Sequence, residues 1–359
     1  MKKILVLILA FALIFGMIGC GGGEADVEES GYDIAMITDL GTIDDKSFNQ
    51  GTWEGIVAYA EENDITHKYY KPTEQSTDAY LSAIQLAVEG GAKIVVTPGF
   101  LFEEPIFIAQ DLYPEVNFIL VDGYPHNLDY SEFKTGDNTV GIKYAEEQSG
   151  YLAGYAAVVE GYTKLGFMGG MAVPAVVKFG YGFAQGAEAA AAELGVASID
   201  LKYHYTGGFE ATPEAQTLAA SWYAEGTEVI FACGGSVGNS VMSAAESADG
   251  KVIGVDVDQS AESPTVITSA MKGLAASVQT ALAEYYDGNF PGGEDQVYAA
   301  DQDGVQLPMD TSIFEVFTQE MYDAVYAKLA ANEIALQIDE DVAAANKLDL
   351  AIVKVTLVE

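Results

Sequence analysis

Polar and aromatic side chains concentrate in this sequence where predicted apolar strands end. One such segment, residues 39–50, holds Asp39, Phe48 and Asn49, and a later strand end holds Asp122. Asparagine and aspartate form hydrogen bonds, whereas phenylalanine rings offer faces for stacking. No strand end carries a histidine cluster of the kind that acid–base chemistry uses, since the chain has only His67, His126 and His204. These residue types favour recognition of a flat polar molecule over catalysis.

A second group of such residues follows the predicted strands in the later part of the chain. It contains a phenylalanine, a glycine pair, an aspartate and a lysine. Together with the first group, it gives the candidate ligand-binding residues Asp39, Phe48, Asn49, Asp122, Phe179, Gly234, Gly235, Asp256 and Lys272.

Short apolar runs alternate with amphipathic stretches and predict the elements that position these residues. The predicted strands are Ile34–Thr38, Lys68–Tyr70, Ile94–Thr97, Phe118–Val121, Lys164–Met168, Ile199–Tyr205, Val229–Cys233 and Val252–Val255. The predicted helices include Ser47–Asn63, Asp78–Glu89, Ala145–Val159, Gly180–Leu194 and Pro213–Glu225. Alternating strands and helices indicate an α/β fold with two doubly wound parallel-sheet lobes, whose strand ends face a ligand cleft.

The composition limits the classes of ligand. The 359 residues fit two domains or one large one, and a hydrophobic fraction of 50% argues against disorder. The chain has 16 lysines and no arginine against 54 acidic residues, a net charge of −38. Because nucleic acid binding requires clustered positive charge, that function is excluded. Without arginine, the usual clamp for carboxylates and phosphates, the protein suits a neutral solute.

The amino-terminal residues are typical of an export signal. Lys2 and Lys3 precede an apolar run from Ile4 to Ile18, which is too short for a membrane span. A small residue and Cys20 follow, as in a bacterial lipobox, so we predict a lipoprotein signal peptide at 1–19, a flexible tether at 20–32 and a lipid such as palmitate on Cys20. These features predict anchoring at the extracytoplasmic face of the cell membrane. The alternative is a plain signal peptide with an incidental cysteine.

The second cysteine has no predicted chemical role. If Cys20 carries lipid, Cys233 has no partner for an intrachain disulfide. It lies in a predicted buried strand, where a lone cysteine usually fills apolar space.

Several of these segments, in this order, resemble the basic membrane protein family of lipoproteins, and in particular the purine nucleoside receptors of ABC importers. The resemblance spans nearly all of residues 33–310. The matching residues are Asp39–Gly41, Ile43–Gln50, Phe179, Gly182–Gly186, Gly234–Gly235, Gly254–Gln259, Thr268–Ser269, Lys272 and Asp287–Gly293. The resemblance implies a type I periplasmic-binding-protein fold, a nucleoside ligand and an ABC permease as partner.

The resemblance also implies that six of the candidate residues line the cleft, namely Phe48, Asn49, Asp122, Phe179, Asp256 and Lys272. We assign the roles of the candidate residues from the chemistry of a purine nucleoside. Phe48 and Phe179, from opposite lobes, would sandwich the base and contribute about 1–3 kcal/mol of stacking. Asn49 would both donate to and accept from the base edge, while Asp39 and Asp122 would accept from its N–H groups.

Other residues would hold the ribose. Asp256 would accept hydrogen bonds from two ribose hydroxyls, and Lys272 would donate to the same hydroxyls and balance the buried carboxylate. Gly234 and Gly235 would let backbone amides approach the sugar, because no Cβ stands in the way.

The type I fold implies lobes joined by crossing segments. We predict a first lobe of residues 33–139 plus 265–300 and a second of residues 140–264 plus 301–359. The crossings are expected near Thr139–Gly141, near Ser263–Thr268 and beyond Pro291. Ligand binding would then close the hinge.

Two alternatives remain at this point, and a third is excluded. The first is a receptor of the same fold for another neutral ligand, namely riboflavin, a pyrimidine nucleoside or a sugar. The second is a calcium-dependent nucleoside hydrolase, because Thr38–Asp45 superficially resembles its calcium loop. However, Ile37 stands where that loop has its first aspartate, and losing a hard oxygen ligand weakens a calcium site. The third, a dinucleotide-binding protein, lacks the required glycine spacing. We therefore expect a monomeric receptor that is no enzyme and has no cofactor or metal.

Overall fold

The computed structural model describes residues 31–39 and 41–358. Within these residues the strands are β1 (Ile34–Ile37), β2 (His67–Tyr70), β3 (Ile94–Pro98), β4 (Asn117–Val121), β5 (Thr139–Tyr144), β6 (Lys164–Gly169), β7 (Ile199–Tyr205), β8 (Val229–Cys233), β9 (Lys251–Asp256), β10 (Val266–Lys272), β11 (Glu294–Tyr298), β12 (Val305–Gln306) and β13 (Val353–Leu357). The helices are α1 (Phe48–Glu62), α2 (Thr77–Glu89), α3 (Glu103–Leu112), α4 (Glu146–Val159), α5 (Pro174–Leu194), α6 (Pro213–Ala224), α7 (Val237–Ala248), α8 (Leu274–Tyr286) and α9 (Gln319–Ala330).

The strands form two sheets with the same central topology. One sheet has the order β11-β5-β4-β3-β1-β2, and the other has the order β12-β10-β9-β8-β6-β7-β13. Neighbouring strands are parallel except for the antiparallel pair β10–β12. Each sheet therefore repeats one doubly wound order, in which the second strand of the set lies outside the first. The predicted α/β class and the repeated order of elements are confirmed.

We call each sheet with its covering helices a lobe. The first lobe comprises β1–β5 and β11 with α1, α2, α3 and α8, and the second comprises β6–β10, β12 and β13 with α4–α7 and α9. Central strands are buried along their whole length, for example Ile34–Ile37 and Val229–Cys233. Such strands need helices on both faces, and their continuous apolar sequences match that requirement.

Two of the predicted lobe boundaries are wrong by one strand. A crossing was expected near Thr139–Gly141, but these residues belong to β5, which pairs with β4 as the fifth strand of the first sheet. Val266–Lys272 likewise pairs with β9 in the second sheet, not in the first lobe. Buried strand residues need ladder partners, so the chain leaves each sheet only after its fifth strand. The crossings are therefore 144–146, 272–274 and 298–305, and the third agrees with the expected position beyond Pro291.

Helices α4 and α5 pack unusually close because glycines line their contact. A Cβ at Gly154 would lie 2.0 Å from the Phe183 carbonyl oxygen, and one at Gly186 would lie 2.0 Å from the Tyr151 carbonyl oxygen. This contact holds α5 against α4. Helix α5 begins at Pro174 and not at the expected Gly180. Proline suits the first turn of a helix because its missing N–H has no helical acceptor there. Phe179 consequently lies in the second turn of α5.

The predicted signal peptide, Cys20 and most of the tether lie outside the described residues. Of the helices in the described part of the chain, none combines the length and apolar character that a membrane span requires.

Candidate functional site

A cavity of about 530 Å³ lies where loops after the strands of both sheets meet. Its lining includes residues that follow β1 and β3 in the first lobe and β6 and β8 in the second. In each sheet these two strands flank the point where the strand order reverses, which is the usual ligand position in doubly wound folds. All nine predicted residues line this cavity, namely Asp39, Phe48, Asn49, Asp122, Phe179, Gly234, Gly235, Asp256 and Lys272.

The carboxylate of Asp45 organises the first turn of α1. Its Oδ1 accepts from the backbone N–H of Ser47 at 2.9 Å and of Gln50 at 3.1 Å, and its Oδ2 accepts from that of Asn49 at 3.0 Å. These bonds satisfy amides that a helix start leaves without helical partners. They also fix Phe48 and Asn49 at the cavity wall.

Two carboxylates hold the side-chain amide of Asn49. Both hydrogens of its Nδ2 are used, because it donates to Asp39 Oδ1 at 2.9 Å and to Asp45 Oδ2 at 3.0 Å. Among the described residues, no donor reaches its buried Oδ1. Two carboxylates therefore determine the orientation of this amide, and its Oδ1 is the atom left without a partner among the described residues.

Lys272 lies at the centre of a buried charge cluster. Its Nζ is 2.8 Å from Asp122 Oδ2, 3.5 Å from Glu146 Oε1 and 3.6 Å from Asp256 Oδ1. The lysine side chain is 2% exposed, and the carboxyl groups are between 3% and 12% exposed. Because Asp122 belongs to the first lobe and Asp256 to the second, this ammonium links the two lobes.

The pKa values in this cluster follow from burial and charge. Burial opposes the charge of Lys272, but the carboxyl groups of Asp122, Asp256 and Glu146 outweigh it and raise the lysine pKa. Burial also raises the pKa of Asp256, although Lys272 and the Ser47 hydroxyl act against that change. The pKa of Glu146 is raised well above its usual value, first by burial and then by Asp122.

Two phenylalanine rings from opposite lobes lie against the Lys272 ammonium. The nitrogen is 4.8 Å from the ring centre of Phe48 and 5.5 Å from that of Phe179. Phe179 is 1% exposed, and its ring meets Phe231 edge to face at 5.9 Å. Phe231 therefore braces the ring of Phe179 at the cavity wall.

Asp122 and Asp256 occupy equivalent places in the two lobes. Asp122 directly follows β4, and Asp256 is the last residue of β9. Both have left-handed backbone conformations, with φ of 68° and 67°, which aspartate tolerates better than most residues. Asp256 also accepts a hydrogen bond from Ser47 Oγ at 2.5 Å, a second link between the lobes.

Glycine is required at positions 234 and 235 for different structural reasons. A Cβ at Gly234 would lie 2.7 Å from the backbone nitrogen of Gly170, so the loops after β6 and β8 pack directly on each other. Gly235 has a φ of +55°, which favours glycine. Both line the cavity.

The sequence reasoning missed several charged cavity residues. They are Asp45, Lys71, Glu103, Lys143, Glu146, Lys178, Glu210, Asp339 and Glu340. Glu146 follows β5 and could have been found by the strand-end rule, but Thr139–Gly141 had been assigned to a crossing. Asp339 comes from a late segment that carries no strand-end signal.

The remaining candidate chemistry at this site is limited. Among the described residues, no group of three or more His, Cys, Asp or Glu side chains is arranged to hold a metal ion. Cys233 also lines the cavity, and burial raises its thiol pKa well above the usual value. A thiol without thiolate character is a poor nucleophile.

Residues 33–339 match the sequence profile of the Bmp family, described as PnrA-like substrate-binding proteins of ABC transporters. The chain belongs to this family. It is 30% identical over 353 residues to the ABC transporter nucleoside-binding protein BmpA of Lactococcus lactis, which covers 90% of this chain and 95% of that protein. It is 29% identical to basic membrane protein A2 of Borrelia garinii, over 95% of this chain and 98% of that protein. The predicted family resemblance is confirmed.

Solved structures confirm the fold of this Bmp-family protein. A solute-binding protein of an ABC transporter system from Aeropyrum pernix superposes with a TM-score of 0.70 at 22% identity, over 85% of this chain and 87% of that one. A protein described in the same way from Conexibacter woesei gives a TM-score of 0.68 at 24% identity, over 86% and 99%. The predicted type I periplasmic-binding-protein fold is thus confirmed.

Proposed function

We propose that this protein is a lipid-anchored extracytoplasmic receptor that binds a purine nucleoside between its lobes and delivers it to an ABC transporter. The main support for this proposal is the pair of rings of Phe48 and Phe179, which come from opposite lobes and lie against one ammonium. A flat base between these rings would stack on both, at about 1–3 kcal/mol for each ring. A bare sugar has no flat aromatic face to fill that place.

Because Asn49 can only accept a hydrogen bond from a ligand in this orientation, it restricts which bases can bind. The ligand edge that meets Oδ1 must donate a hydrogen bond, because both Nδ2 hydrogens already bind carboxylates. Inosine and guanosine donate there through N1–H, and adenosine donates through its amino group. Leaving a buried acceptor unpaired costs about 1–3 kcal/mol.

Asp256 and Lys272 are suited to a ribose. Asp256 Oδ2 accepts from Ser47, while Oδ1, 3.6 Å from the Lys272 nitrogen, keeps capacity for a ribose hydroxyl. An ammonium donates three hydrogen bonds, so Lys272 can bind a hydroxyl as well as Asp122. The ribose would then lie on the Lys272 side of the cavity.

Contacts between the lobes support closure about the three crossings. Ser47 binds Asp256, Lys272 binds Asp122, and Gln259 Nε2 donates to the Lys46 carbonyl at 2.7 Å. Each bond joins a first-lobe residue to a second-lobe residue, so opening the cavity breaks them. Binding energy from the ligand would shift the population towards the closed form, which the transporter would recognise.

Isothermal titration against a panel of solutes tests this function. We expect inosine or guanosine to bind with the highest affinity, and purine riboside, which has no donor on the corresponding edge, to bind at least about tenfold more weakly. Uridine, ribose and riboflavin serve as the competing ligands. Strong binding of riboflavin with no heat from any purine nucleoside would replace the proposed ligand, and equal affinity for purine riboside would refute the role of Asn49.

The lipid anchor has its own test. Cys20→Ser removes the thiol that would be acylated, and a single lost anchor is enough to release a protein from a bilayer when no other membrane signal exists. We expect the variant in the soluble fraction after cell lysis, whereas the wild-type protein sediments with membranes. Cys233→Ser is the matched control and should stay with the membranes. Membrane retention of Cys20→Ser would contradict lipidation.

A further inference from the structure

Glu146 lies at the crossing between the lobes and reaches into the cavity. It is the first residue of α4 and follows β5 after a single residue. The residue is 2% exposed, and its Oε1 is 3.5 Å from the Lys272 nitrogen. Lys272 lies at the second crossing, so two of the three crossings place charged groups in contact beside the ligand space.

The charges around Lys272 do not balance if every carboxyl group is ionised. One ammonium lies within 4 Å of Asp122, Asp256 and Glu146. A buried carboxylate without a compensating cation is strongly disfavoured, because its desolvation is not offset by an opposite charge. Asp122 lies closest to the ammonium, at 2.8 Å, and Asp256 also accepts a hydrogen bond from the Ser47 hydroxyl. The ionised forms of these two groups are therefore compensated best, and Glu146 is the group for which the neutral form costs least.

We propose that Glu146 is a positioning residue that stays protonated in the folded protein and thereby keeps Lys272 paired with Asp122 and Asp256 at the cavity wall. The neutral acid leaves two carboxylates for the Lys272 ammonium. Asp122 then accepts from Lys272 at 2.8 Å without competition from a third carboxylate. Ligand affinity becomes dependent on pH through this proton.

Some groups around Glu146 favour its ionised form and others favour its protonated form. The positive end of the α4 dipole favours the ionised form, as do Lys272 and Lys178. Burial and the acidic neighbours favour the protonated form and prevail. The facing titratable groups are Asp122 after β4, Tyr124 in the next loop, Lys178 on α5, Cys233 on β8, Asp256 on β9 and Lys272 on β10.

The main test uses the full chain without ligand. Infrared difference spectroscopy at neutral pH should show the carbonyl band of a protonated carboxylic acid, and Glu146→Gln, which is isosteric with the neutral acid, should remove it. Glu61→Gln, on the exposed face of α1, should leave the band unchanged. Persistence of the full band in Glu146→Gln would overturn the proposal.

Urea unfolding gives an independent readout. Because the folded pKa of Glu146 is raised above its unfolded value, wild-type stability is lost as the pH rises from the unfolded towards the folded pKa. Glu146→Gln does not titrate, so its stability relative to wild type should increase with pH, by at most about tenfold per pH unit in the unfolding constant. Glu61→Gln should show a constant difference. A constant difference for Glu146→Gln would also overturn the proposal.

The third arm rests on the proposed function and uses inosine as the probe. Between pH 6 and pH 9, wild-type affinity should fall with pH, while that of Glu146→Gln should stay within about threefold of its pH 6 value. If no variant binds inosine but the carbonyl band and the unfolding data behave as expected, the proposed function fails and the role of Glu146 stands. If inosine binds with the same pH profile in both proteins, Glu146 has no positioning role.

Discussion

Replacing Lys272 by methionine should destabilise the protein by about 3–5 kcal/mol at pH 7.5, the usual cost of leaving buried charges without their partner. Methionine has a similar length and no charge, so packing changes little. Asp122 and Asp256 would lose the ammonium at 2.8 and 3.6 Å. Urea unfolding followed by circular dichroism measures the difference in the free energy of unfolding.

The effect of Lys272→Met should depend on pH with a defined sign. Burial already raises the pKa of Asp256, and Lys272 acts against that rise, so losing the lysine raises it further. A folded pKa above the unfolded value means that stability is lost as pH rises. The difference from wild type should therefore be smaller at pH 5 than at pH 7.5.

An exposed lysine provides the matched control for this substitution. Lys328 lies on the solvent side of α9, and surface charges of this kind contribute less than about 1 kcal/mol. Lys328→Met should leave the unfolding midpoint nearly unchanged at both pH values. Equal midpoints for Lys272→Met and Lys328→Met would show that the cluster does not depend on the ammonium.

The cavity residues could be predicted because they follow strands. In parallel sheets the carboxyl ends of all strands lie at one edge, so a polar residue after a predicted strand is placed without knowing any contact. Asp39, Asp122 and Asp256 were found in this way. The same rule failed at Glu146 only because β5 was interpreted as a crossing. Buried, β-rich residues such as Val140 and Ile142 required a place in a sheet.

Hydrogen bonds and ion pairs between residues far apart in the chain could not be predicted from the sequence pattern. The orientation of the Asn49 amide depends on Asp39 and Asp45, and the charge state of Glu146 depends on Asp122. Spacing along the chain carries no information about which oxygen meets which nitrogen. Residue types were therefore predictable at this site, whereas donor and acceptor states were not.

Phe179 should contribute one to two orders of magnitude to the affinity for a purine nucleoside. Phe179→Ala removes the ring and, because the side chain is 1% exposed, also costs about 3–5 kcal/mol of stability. Phe179→Leu separates these effects, since it keeps apolar volume at a cost below about 1.5 kcal/mol but has no aromatic face. Isothermal titration with inosine should show roughly 5- to 150-fold weaker binding for Phe179→Leu, which corresponds to the loss of one stacking contact.

Phe183 is the control for this prediction because it lies one turn later on α5 and is fully buried. Its ring meets Phe231 at 5.3 Å, as that of Phe179 does at 5.9 Å, but it lies outside the cavity lining. Phe183→Leu should lower the unfolding midpoint by a similar amount and leave inosine affinity unchanged. If both leucine variants lose affinity equally, the effect of Phe179 passes through the packing of α5, and no ring–base contact needs to be invoked.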